Sequence, residues 1–256
     1  MYYRFTGKQR KEIDKELFET VEEVFDSSTV LAILELTRRK IIGDLKGVVS
    51  AGKESRVYWG KAPDGSDLAI KIYLTSSAEF RKGMIKYLMG DPRFQRIPKS
   101  TRKLVITWAR KEFRNLKAMY DVGASVPRPI AQHENILVME FIGENGIRAP
   151  LLKEVNLDTY EAEIIFHNVI ENVKRIYKFA ELVHGDLSEY NIMLYKDKAY
   201  IIDVSQAVKI SHPNSYELLL RDLNNLVRYF NTLGVKTPSL DELLKYIIEE
   251  ERDLEE

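Results

Sequence analysis

The segment His184-Gly-Asp-Leu-Ser-Glu-Tyr-Asn191 is the most informative part of this sequence, and Ile201-Ile-Asp203 completes it after two short apolar runs. Those runs, joined by a turn, predict a β-hairpin. Phosphoryl transfer from a nucleotide requires a carboxylate to orient the incoming hydroxyl, a carboxamide to hold a magnesium ion, and a second carboxylate to bind the metal. Asp186, Asn191 and Asp203 supply these groups in that order. The segment therefore predicts a phosphoryl-transfer site with Asp186 as the base.

Each of these residues also has a structural interpretation. An isolated Asp or Asn commonly caps a turn, and an Asp often ends a strand. Asp186, Asn191 and Asp203 occur together, in order and around a hairpin, which favours the chemical interpretation over unrelated caps. His184 is different, because the histidine in a loop of this pattern usually packs and hydrogen-bonds. We expect it to be structural.

A second signal is a lysine inside an apolar strand, Leu68-Ala-Ile-Lys-Ile-Tyr73. Such a lysine can extend its aliphatic stem to reach solvent. Alternatively, it can bring its ammonium to the α- and β-phosphates of a nucleotide while an acidic residue holds it. Glu112 is the best candidate for that partner, because it lies on a helix predicted over Thr101–Tyr120 and is one of only two acids in a long basic stretch. We expect Lys71 and Glu112 to form an ion pair.

The loop Val48-Val-Ser-Ala-Gly-Lys-Glu-Ser-Arg-Val57 is a weaker signal for phosphate binding. A protein kinase carries Gly-x-Gly-x-x-Gly-x-Val over the phosphates. Aligned on its final valine, this loop keeps only the middle glycine, Gly52, and has Ser50 and Ser55 at the other two positions. Gly52 still allows close backbone approach, the serine hydroxyls can donate to phosphate oxygens, and Lys53 adds a positive charge.

Composition excludes several classes of protein. The 256 residues carry 39 basic and 39 acidic side chains, so no overall positive field favours nucleic acid. The absence of cysteine excludes disulfides, thiolate metal sites and a cysteine nucleophile, and no two of the four histidines have metal-ligand spacing. No uncharged apolar run approaches the roughly 18 residues of a membrane span, and the start lacks a signal-peptide core. We expect a cytoplasmic protein with no membrane partner that binds no DNA.

The period of the apolar residues changes along the chain. Lys8–Phe25 and the residues after a predicted cap, Asp26-Ser-Ser-Thr29, have helical spacing. Three β-prone runs separated by turns then predict a meander, and Ile136–Ile142 predicts a buried strand. The second half is mostly helical, with amphipathic helices predicted over Thr159–Phe179 and Ser215–Leu233. The expected order is a helical beginning, a strand-rich half and a helical half.

Seven segments form a set that is far more specific than any one of them. They are Ser50-Ala-Gly-Lys-Glu-Ser-Arg-Val-Tyr58, Ile70-Lys-Ile-Tyr73, Lys111-Glu-Phe-Arg-Asn-Leu116, Val138-Met-Glu-Phe-Ile-Gly143, Ala149-Pro-Leu-Leu-Lys153, Val183-His-Gly-Asp-Leu-Ser-Glu-Tyr-Asn191 and Ile202-Asp-Val-Ser-Gln206. Together they resemble the RIO family of atypical protein kinases, and within it the archaeal form of the first subfamily. The resemblance covers roughly residues 24–230. Nothing in the sequence resembles the winged-helix domain of the second subfamily.

The resemblance implies an α+β fold of the bilobal protein-kinase type. It has an antiparallel-sheet N-lobe and a helical C-lobe, preceded here by an N-terminal helical extension. We place the extension at residues 1–44, the N-lobe at 45–142 and the C-lobe at 143–256. The family lacks the activation loop and the substrate-docking subdomains of ordinary protein kinases. The sequence agrees, because Val204-Ser-Gln206 leads almost directly into the next helix.

The resemblance also implies the ligands of the site. They are ATP and Mg²⁺, with Mn²⁺ as a possible replacement. Met139 would be the gatekeeper at the back of the nucleotide site, and Glu140 and Ile142 would offer backbone groups to adenine. Asp203 would bind the metal and could itself accept phosphate as an aspartyl-phosphate.

The residues and the resemblance together predict an ATP-dependent serine/threonine protein kinase with ATPase activity, and the resemblance implies that it acts in small ribosomal subunit maturation. Its protein substrates would include itself, with Ser100 or Thr101 as candidate acceptors. One alternative is a nucleotide-gated ribosome assembly ATPase with little protein kinase activity. In that case the basic stretch Arg81–Lys117 could meet the rRNA of a pre-small-subunit ribosomal particle. The other alternative is a small-molecule phosphotransferase, which shares the His-Gly-Asp-x4-Asn loop but not the Ser-Ala-Gly-Lys-Glu loop.

Overall fold

The computed structural model describes residues 26–74, 78–94 and 96–249. Two sequence predictions lie outside these residues. One is the charge-dense helix over Lys8–Phe25, and the other is the continuation of the acidic end beyond Glu249 as a helix tail.

Helix α1, Ser27–Arg38, begins at the cap that the sequence predicts. The carboxylate of Asp26 accepts a hydrogen bond of 2.9 Å from the backbone N–H of Thr29, which satisfies one of the free donors at the helix start. The buried face of α1 packs on one side of the sheet through Val30, Ile33 and Leu36. The spacing of Val30, Ile33, Leu34 and Ile41 predicts one helical stripe, but the helix ends at Arg38, and Ile41 packs against the same cluster from the segment that follows it.

A five-stranded antiparallel sheet follows, with the strand order β1-β2-β3-β5-β4. Its strands are β1 Asp44–Ala51, β2 Ser55–Lys61, β3 Asp67–Tyr73, β4 Pro129–His133 and β5 Ile136–Glu140. The predicted meander and the predicted buried strand are confirmed. Strand β4 was not predicted, because two prolines precede its body. A proline is tolerated there since β4 lies at the sheet edge.

Two helices connect β3 to β4. They are α2, Ala78–Leu88, and α3, Thr101–Asp121, and α3 confirms the predicted helix. The buried face of α3 contains Trp108 and Ala109, which pack with Tyr73 of β3 and with Met84 and Leu88 of α2. This contact places α3 beside the sheet strand that carries Lys71.

The rest of the chain is helical with short strand pairs. The helices are α4 Thr159–Arg175, which continues as a π-helical turn to Ala180, α5 Ser215–Thr232 and α6 Leu240–Ile248. The short strands are β6 Gly143–Glu144, β7 Ile147–Arg148, β8 Leu182–Val183, β9 Ile192–Tyr195, β10 Lys198–Ile201 and β11 Val208–Lys209. Strands β9 and β10 pair as the hairpin that the sequence predicts before Asp203.

The buried apolar residues fall into separate clusters. One joins α1 to the sheet, and the largest joins α4, α5 and α6 to the short strands. The α+β arrangement of a sheet lobe and a helical lobe agrees with the predicted fold class, while the boundaries at residues 44 and 142 stay a prediction. Among the described residues, no helix is long and apolar enough to cross a membrane.

The turn between the lobes depends on a glycine. Gly143 has φ +151°, and a Cβ added to it would overlap the carbonyl oxygen of Ile147 and lie 2.8 Å from the Cα of Arg148. Both are backbone atoms, so they cannot move aside without opening the β6–β7 pair.

We predict that Gly143→Ala lowers the free energy of unfolding by about 1–3 kcal/mol, the cost of a strained backbone position. Chemical denaturation of the purified protein measures this loss. Gly47→Ala is the matched control, because a Cβ there meets no atom within 4 Å. Equal stability of the two variants would contradict the assignment.

Candidate active site

A cavity of about 310 Å³ lies between the sheet and the helical lobe. Two predicted site residues, Lys53 and Asp186, are not part of its lining. Lys53 is exposed at the tip of the β1–β2 loop, and Asp186 lies beside the cavity next to Asn191. The predicted residues that do line the cavity are Ser50, Gly52, Ser55, Val57, Lys71, Glu112, Met139, Glu140, Ile142, Asn191 and Asp203.

The ammonium of Lys71 lies between two carboxylates at the base of the cavity. Its Nζ is 3.0 Å from Oε1 of Glu112 on α3 and 2.9 Å from Oδ1 of Asp203 after β10. Lys71 is only 5% exposed, so its charge would be costly without these partners. The expected Lys71–Glu112 ion pair is therefore present, and Asp203 extends it across the two lobes.

Burial and pairing shift the pKa of each member of this group. Burial disfavours the charge on Lys71, but Asp203 and Glu112 outweigh it and raise the pKa of the ammonium. Burial raises the pKa of Glu112 to about 7, opposed by the charge of Lys71. Burial would also raise the pKa of Asp203, but Lys71 and the Ser205 hydroxyl hold it at about 2. Asp203 therefore stays ionised at neutral pH.

A tyrosine completes the environment of Glu112. The hydroxyl of Tyr73 donates to Oε2, the oxygen that Lys71 does not contact. The Tyr73 ring also lies 5.1 Å from the Lys71 ammonium, within the range of a cation–π contact. Both carboxylate oxygens of this buried glutamate thus have donors.

The loop between β8 and β9 holds Asp186 and Asn191 together. The side-chain amide of Asn191 donates to the carbonyl of Asp186 over 2.7 Å, and Nε2 of Gln206 donates to Oδ2 of Asp186 over 3.0 Å. Burial raises the pKa of Asp186, and the charge of Asp203 adds to the increase, while Arg221 and the Gln206 hydrogen bond oppose it. A carboxylate with a raised pKa near an open cavity is suited to exchange a proton with a substrate.

His184 has the structural role that the sequence favours. Its Nδ1 accepts from the backbone N–H of Asp186 at 3.2 Å, and its Nε2 lies 3.0 Å from the carbonyl of Ile202. An accepting Nδ1 places the proton on Nε2, which then donates to that carbonyl. Burial lowers the pKa of the imidazole, so the ring is neutral and ties the loop to the strand before Asp203.

The donors at Asp203 and Asn191 fit a divalent cation. Oδ1 of Asp203 accepts from Lys71 and from the Ser205 hydroxyl at 2.8 Å, while Oδ2 accepts no hydrogen bond from a described residue. The Asn191 amide nitrogen is bonded to Asp186, which leaves its Oδ1 for a ligand. No cluster of three or more histidines and carboxylates at metal-binding spacing occurs in the described ranges. Mg²⁺ suits such a site, because it is usually held by one or two side chains together with water and substrate phosphates.

The segment after β5 offers a backbone donor to a ligand. The carbonyl of Ile142 accepts from the N–H of Ala149 at 2.9 Å, and the N–H of Glu140 donates to Arg128 at 2.8 Å. The N–H of Ile142 donates to no described residue, although Ile142 is only 5% exposed. Buried backbone N–H groups are nearly always paired, so this one marks a place for a ligand acceptor such as a ring nitrogen.

Helix α5 fixes the Asp186 loop through a residue that sequence reasoning missed. Asp222 is 1% exposed, and its two oxygens accept from the backbone N–H groups of Gly185 at 2.7 Å and Leu187 at 2.9 Å. Burial raises its pKa to about 7, against the two donors. The available signal was an acid on the apolar face of the predicted helix, between Leu218 and Leu226.

Helix α3 fixes the residues after Asp203 in a similar way. The fully buried ammonium of Lys111 donates to the carbonyls of Ser205 at 2.8 Å and Ala207 at 2.6 Å. The Asn115 amide donates to Val204 at 2.9 Å. Burial lowers the pKa of Lys111 well below its usual value. These two residues, which the sequence indicated only as part of a motif, anchor the turn that carries Asp203.

Comparison with known sequences identifies the family. The family described as RIO domain matches residues 56–243, well over half of the chain. This chain belongs to the RIO domain family. The sequence motifs predict this family and, within it, the archaeal form of the first subfamily.

Two Rio1 relatives match the chain over most of its length. The RIO-type serine/threonine-protein kinase Rio1 of Methanocaldococcus jannaschii is 38% identical over 247 residues, or 96% of this chain and 82% of its own. The serine/threonine-protein kinase RIO1 of Caenorhabditis elegans is 39% identical over 244 residues, or 94% of this chain and 48% of its own. The chain spans about half the length or less of the first curated relatives that it matches.

A solved structure shows the same fold. The Rio2 kinase–ADP/Mg²⁺–phosphoaspartate complex of Chaetomium thermophilum has a TM-score of 0.64 and 24% sequence identity to this chain. The similarity covers 86% of this chain and 66% of that one. The bilobal, kinase-like α+β fold class is confirmed.

We predict that Asp222→Ala lowers the free energy of unfolding by about 2–5 kcal/mol, because two buried N–H groups lose their acceptors. It should also slow any reaction that depends on Asp186, since the loop loses its anchor. Urea denaturation and hydrogen exchange at Gly185 and Leu187 measure both effects. Glu217→Ala, an exposed acid on the same helix, is the control. Unchanged exchange in Asp222→Ala would show that α5 does not hold the loop.

Proposed function

We propose that this chain is a serine/threonine protein kinase that transfers the γ-phosphoryl group of ATP to protein hydroxyls, its own included. The observation that carries the proposal is the Lys71 ammonium, held between Glu112 and Asp203 at the base of a cavity with Asp186 beside it. The similarity to Rio1 relatives that are named serine/threonine-protein kinases supports it.

The nucleotide would lie along the cavity with its adenine toward the segment after β5. There the free N–H of Ile142 and the backbone of Glu140 would meet the ring edge, with Met139 behind it.

The β1–β2 loop would cover the phosphates with Ser50, Gly52, Lys53, Ser55 and Val57. Lys71 would contact the α- and β-phosphates, because Glu112 and Asp203 keep its ammonium charged and fixed.

Asn191 and Asp203 would hold Mg²⁺, or Mn²⁺ in its place. When bound, the cation neutralises phosphate charge that develops during transfer. Asp186 would accept a hydrogen bond from the attacking hydroxyl and take its proton. Partial burial keeps the Asp186 carboxylate basic, while the strongly acidic Asp203 stays available as a ligand. The different pKa values of the two carboxylates support these different roles.

We predict that Asp186→Ala reduces transfer of labelled γ-phosphate to the chain itself and to casein by at least about a hundredfold, the usual contribution of a positioned base. ATP binding, measured by calorimetry, should stay within about twofold, because Asp186 does not line the cavity. Asp241→Ala, an exposed acid on α6, is the control. Transfer that is unchanged in Asp186→Ala, or faster to a small aminoalcohol than to protein, would refute the proposal.

Mapping of the phosphorylated residue in the chain itself tests whether Ser100 or Thr101 is the acceptor.

A second candidate function is a nucleotide-gated ATPase that assists small ribosomal subunit maturation in the cytoplasm. The observation that favours it is an exposed basic stripe on α3. Lys103, Arg110 and Arg114 lie on one face of this helix and are exposed, and none of them lines the cavity. Lys103 and Arg110 form no ion pair with a described residue. Such a stripe is suited to the phosphates of rRNA.

Asp203 is central to this second candidate. One solved structure of the Rio2 kinase of Chaetomium thermophilum is an ADP/Mg²⁺–phosphoaspartate complex. In this chain the open Oδ2 of Asp203 would attack the γ-phosphorus of ATP as ADP leaves, and water would then hydrolyse the aspartyl-phosphate to release phosphate and restore the carboxylate. Hydrolysis would thus reset a binding cycle without a protein acceptor.

We predict that the chain binds a precursor of the small ribosomal subunit more tightly with a non-hydrolysable ATP analogue than with ADP. The double variant Lys103→Glu/Arg110→Glu should weaken this association at least tenfold, because phosphate contacts are electrostatic. Sedimentation with purified particles measures it. Lys198→Glu/Lys245→Glu carries the same charge change on the helical lobe and is the control. Association that is independent of nucleotide would contradict the gated ATPase and leave the kinase proposal standing.

A further inference from the structure

Two side chains of the turn Asp203–Gln206 donate hydrogen bonds to two of the carboxylates of the candidate active site, Asp203 itself and Asp186. Asp203 has φ +54°, a left-handed conformation that is rare outside glycine. A short 3₁₀ turn over Val204–Gln206 follows it. From this turn the Ser205 hydroxyl donates to Asp203 Oδ1 at 2.8 Å, and the Gln206 amide donates to Asp186 Oδ2 at 3.0 Å. Neighbouring side chains of one turn thus reach the two acids.

The backbone that carries Gln206 is itself held in place. The buried side chains of Lys111 and Asn115 donate to the carbonyls of residues on both sides of Gln206, as described above. The Gln206 side chain is only half-buried, so it does not belong to the apolar core. A half-buried side chain on a fixed backbone can direct a hydrogen bond without being required for folding.

The chemistry of an amide suits contact with a base. The amide N–H of Gln206 donates to Oδ2 of Asp186, so Oδ1 of Asp186 stays open to the hydroxyl of an acceptor. It adds no positive charge, so it fixes the carboxylate without the strong loss of basicity that a neighbouring cation would cause.

We propose that Gln206 is a positioning residue that orients Asp186 through the Nε2–H···Oδ2 hydrogen bond and ties it to the turn bearing Asp203. This inference rests on the proposed function, in which Asp186 accepts the proton of the attacking hydroxyl. Gln206 does not line the cavity, and in this assignment it acts through Asp186 and not on the nucleotide or the acceptor.

The test uses Gln206→Ala and the isosteric Gln206→Glu, which keeps the size of the side chain and removes its N–H donors. In both, kcat for γ-phosphate transfer to casein should fall about tenfold, part of the usual contribution of a positioned base. The KM for ATP should change less than twofold. Asp186 must be ionised to act as the base. Without the hydrogen bond from Gln206 its pKa should rise, so the acidic limb of the pH–rate profile should move to higher pH. The added carboxylate of Gln206→Glu should move it at least as far.

Controls separate this inference from the proposed function. Gln132→Ala removes a glutamine that donates to Glu134 at the β4–β5 turn, and should leave kcat and the pH profile unchanged. In an Asp186→Ala background, Gln206→Ala should cause no further loss, because the two residues act as a unit. Near-wild-type kcat and pH profile in Gln206→Glu would overturn the inference while Asp186→Ala stays inactive. Full transfer by Asp186→Ala would instead overturn the proposed function.

Discussion

The buried ammonium of Lys71 is the constraint on which the rest of the structure depends. A charge that is 5% exposed is tolerable only with close partners, and its two partners come from α3 and from the turn after β10. The sheet, the long helix and the helical lobe must therefore meet at one point. The cavity lies where they meet, so the pairing of Lys71 fixes the base of the cavity and the relation of the two lobes.

Two other buried charged residues, Asp222 and Lys111, serve the same geometry from a distance. Asp222 holds the backbone on either side of Asp186, and Lys111 holds the backbone after Asp203. Neither faces the cavity. Each replaces water around a backbone group that would otherwise be buried without a partner, which is costly for an isolated N–H or C=O. The loops of the site are thus held by helices as well as by hydrogen bonds among their own residues.

Two carboxylates near the cavity have opposite electrostatic environments. Lys71 holds the pKa of Asp203 low, whereas burial and the charge of Asp203 raise the pKa of Asp186 against the opposing contacts of Arg221 and Gln206. An acid that never protonates near neutral pH is suited to bind a cation, and one with a raised pKa is suited to move a proton. Gln206 connects them, because the turn that orients one also supplies a donor to the other. Positions and proton affinities in the site are therefore set together.

The amino-acid sequence determined the elements and the local chemistry of this protein. The period of its apolar residues predicts the meander, α3 and the β9–β10 hairpin, and the short spacing from Asp186 to Asn191 places both in one loop. The sequence also singled out Glu112 as a partner for Lys71, because acids are rare on that helix. Only the tertiary structure decided that Asp203 joins this pair, that Lys53 is outside the cavity, and that Asp222, Lys111 and Gln206 hold the loops. The reason is physical: backbone geometry imposes a period over a few residues, whereas contacts between distant residues follow from how whole elements pack.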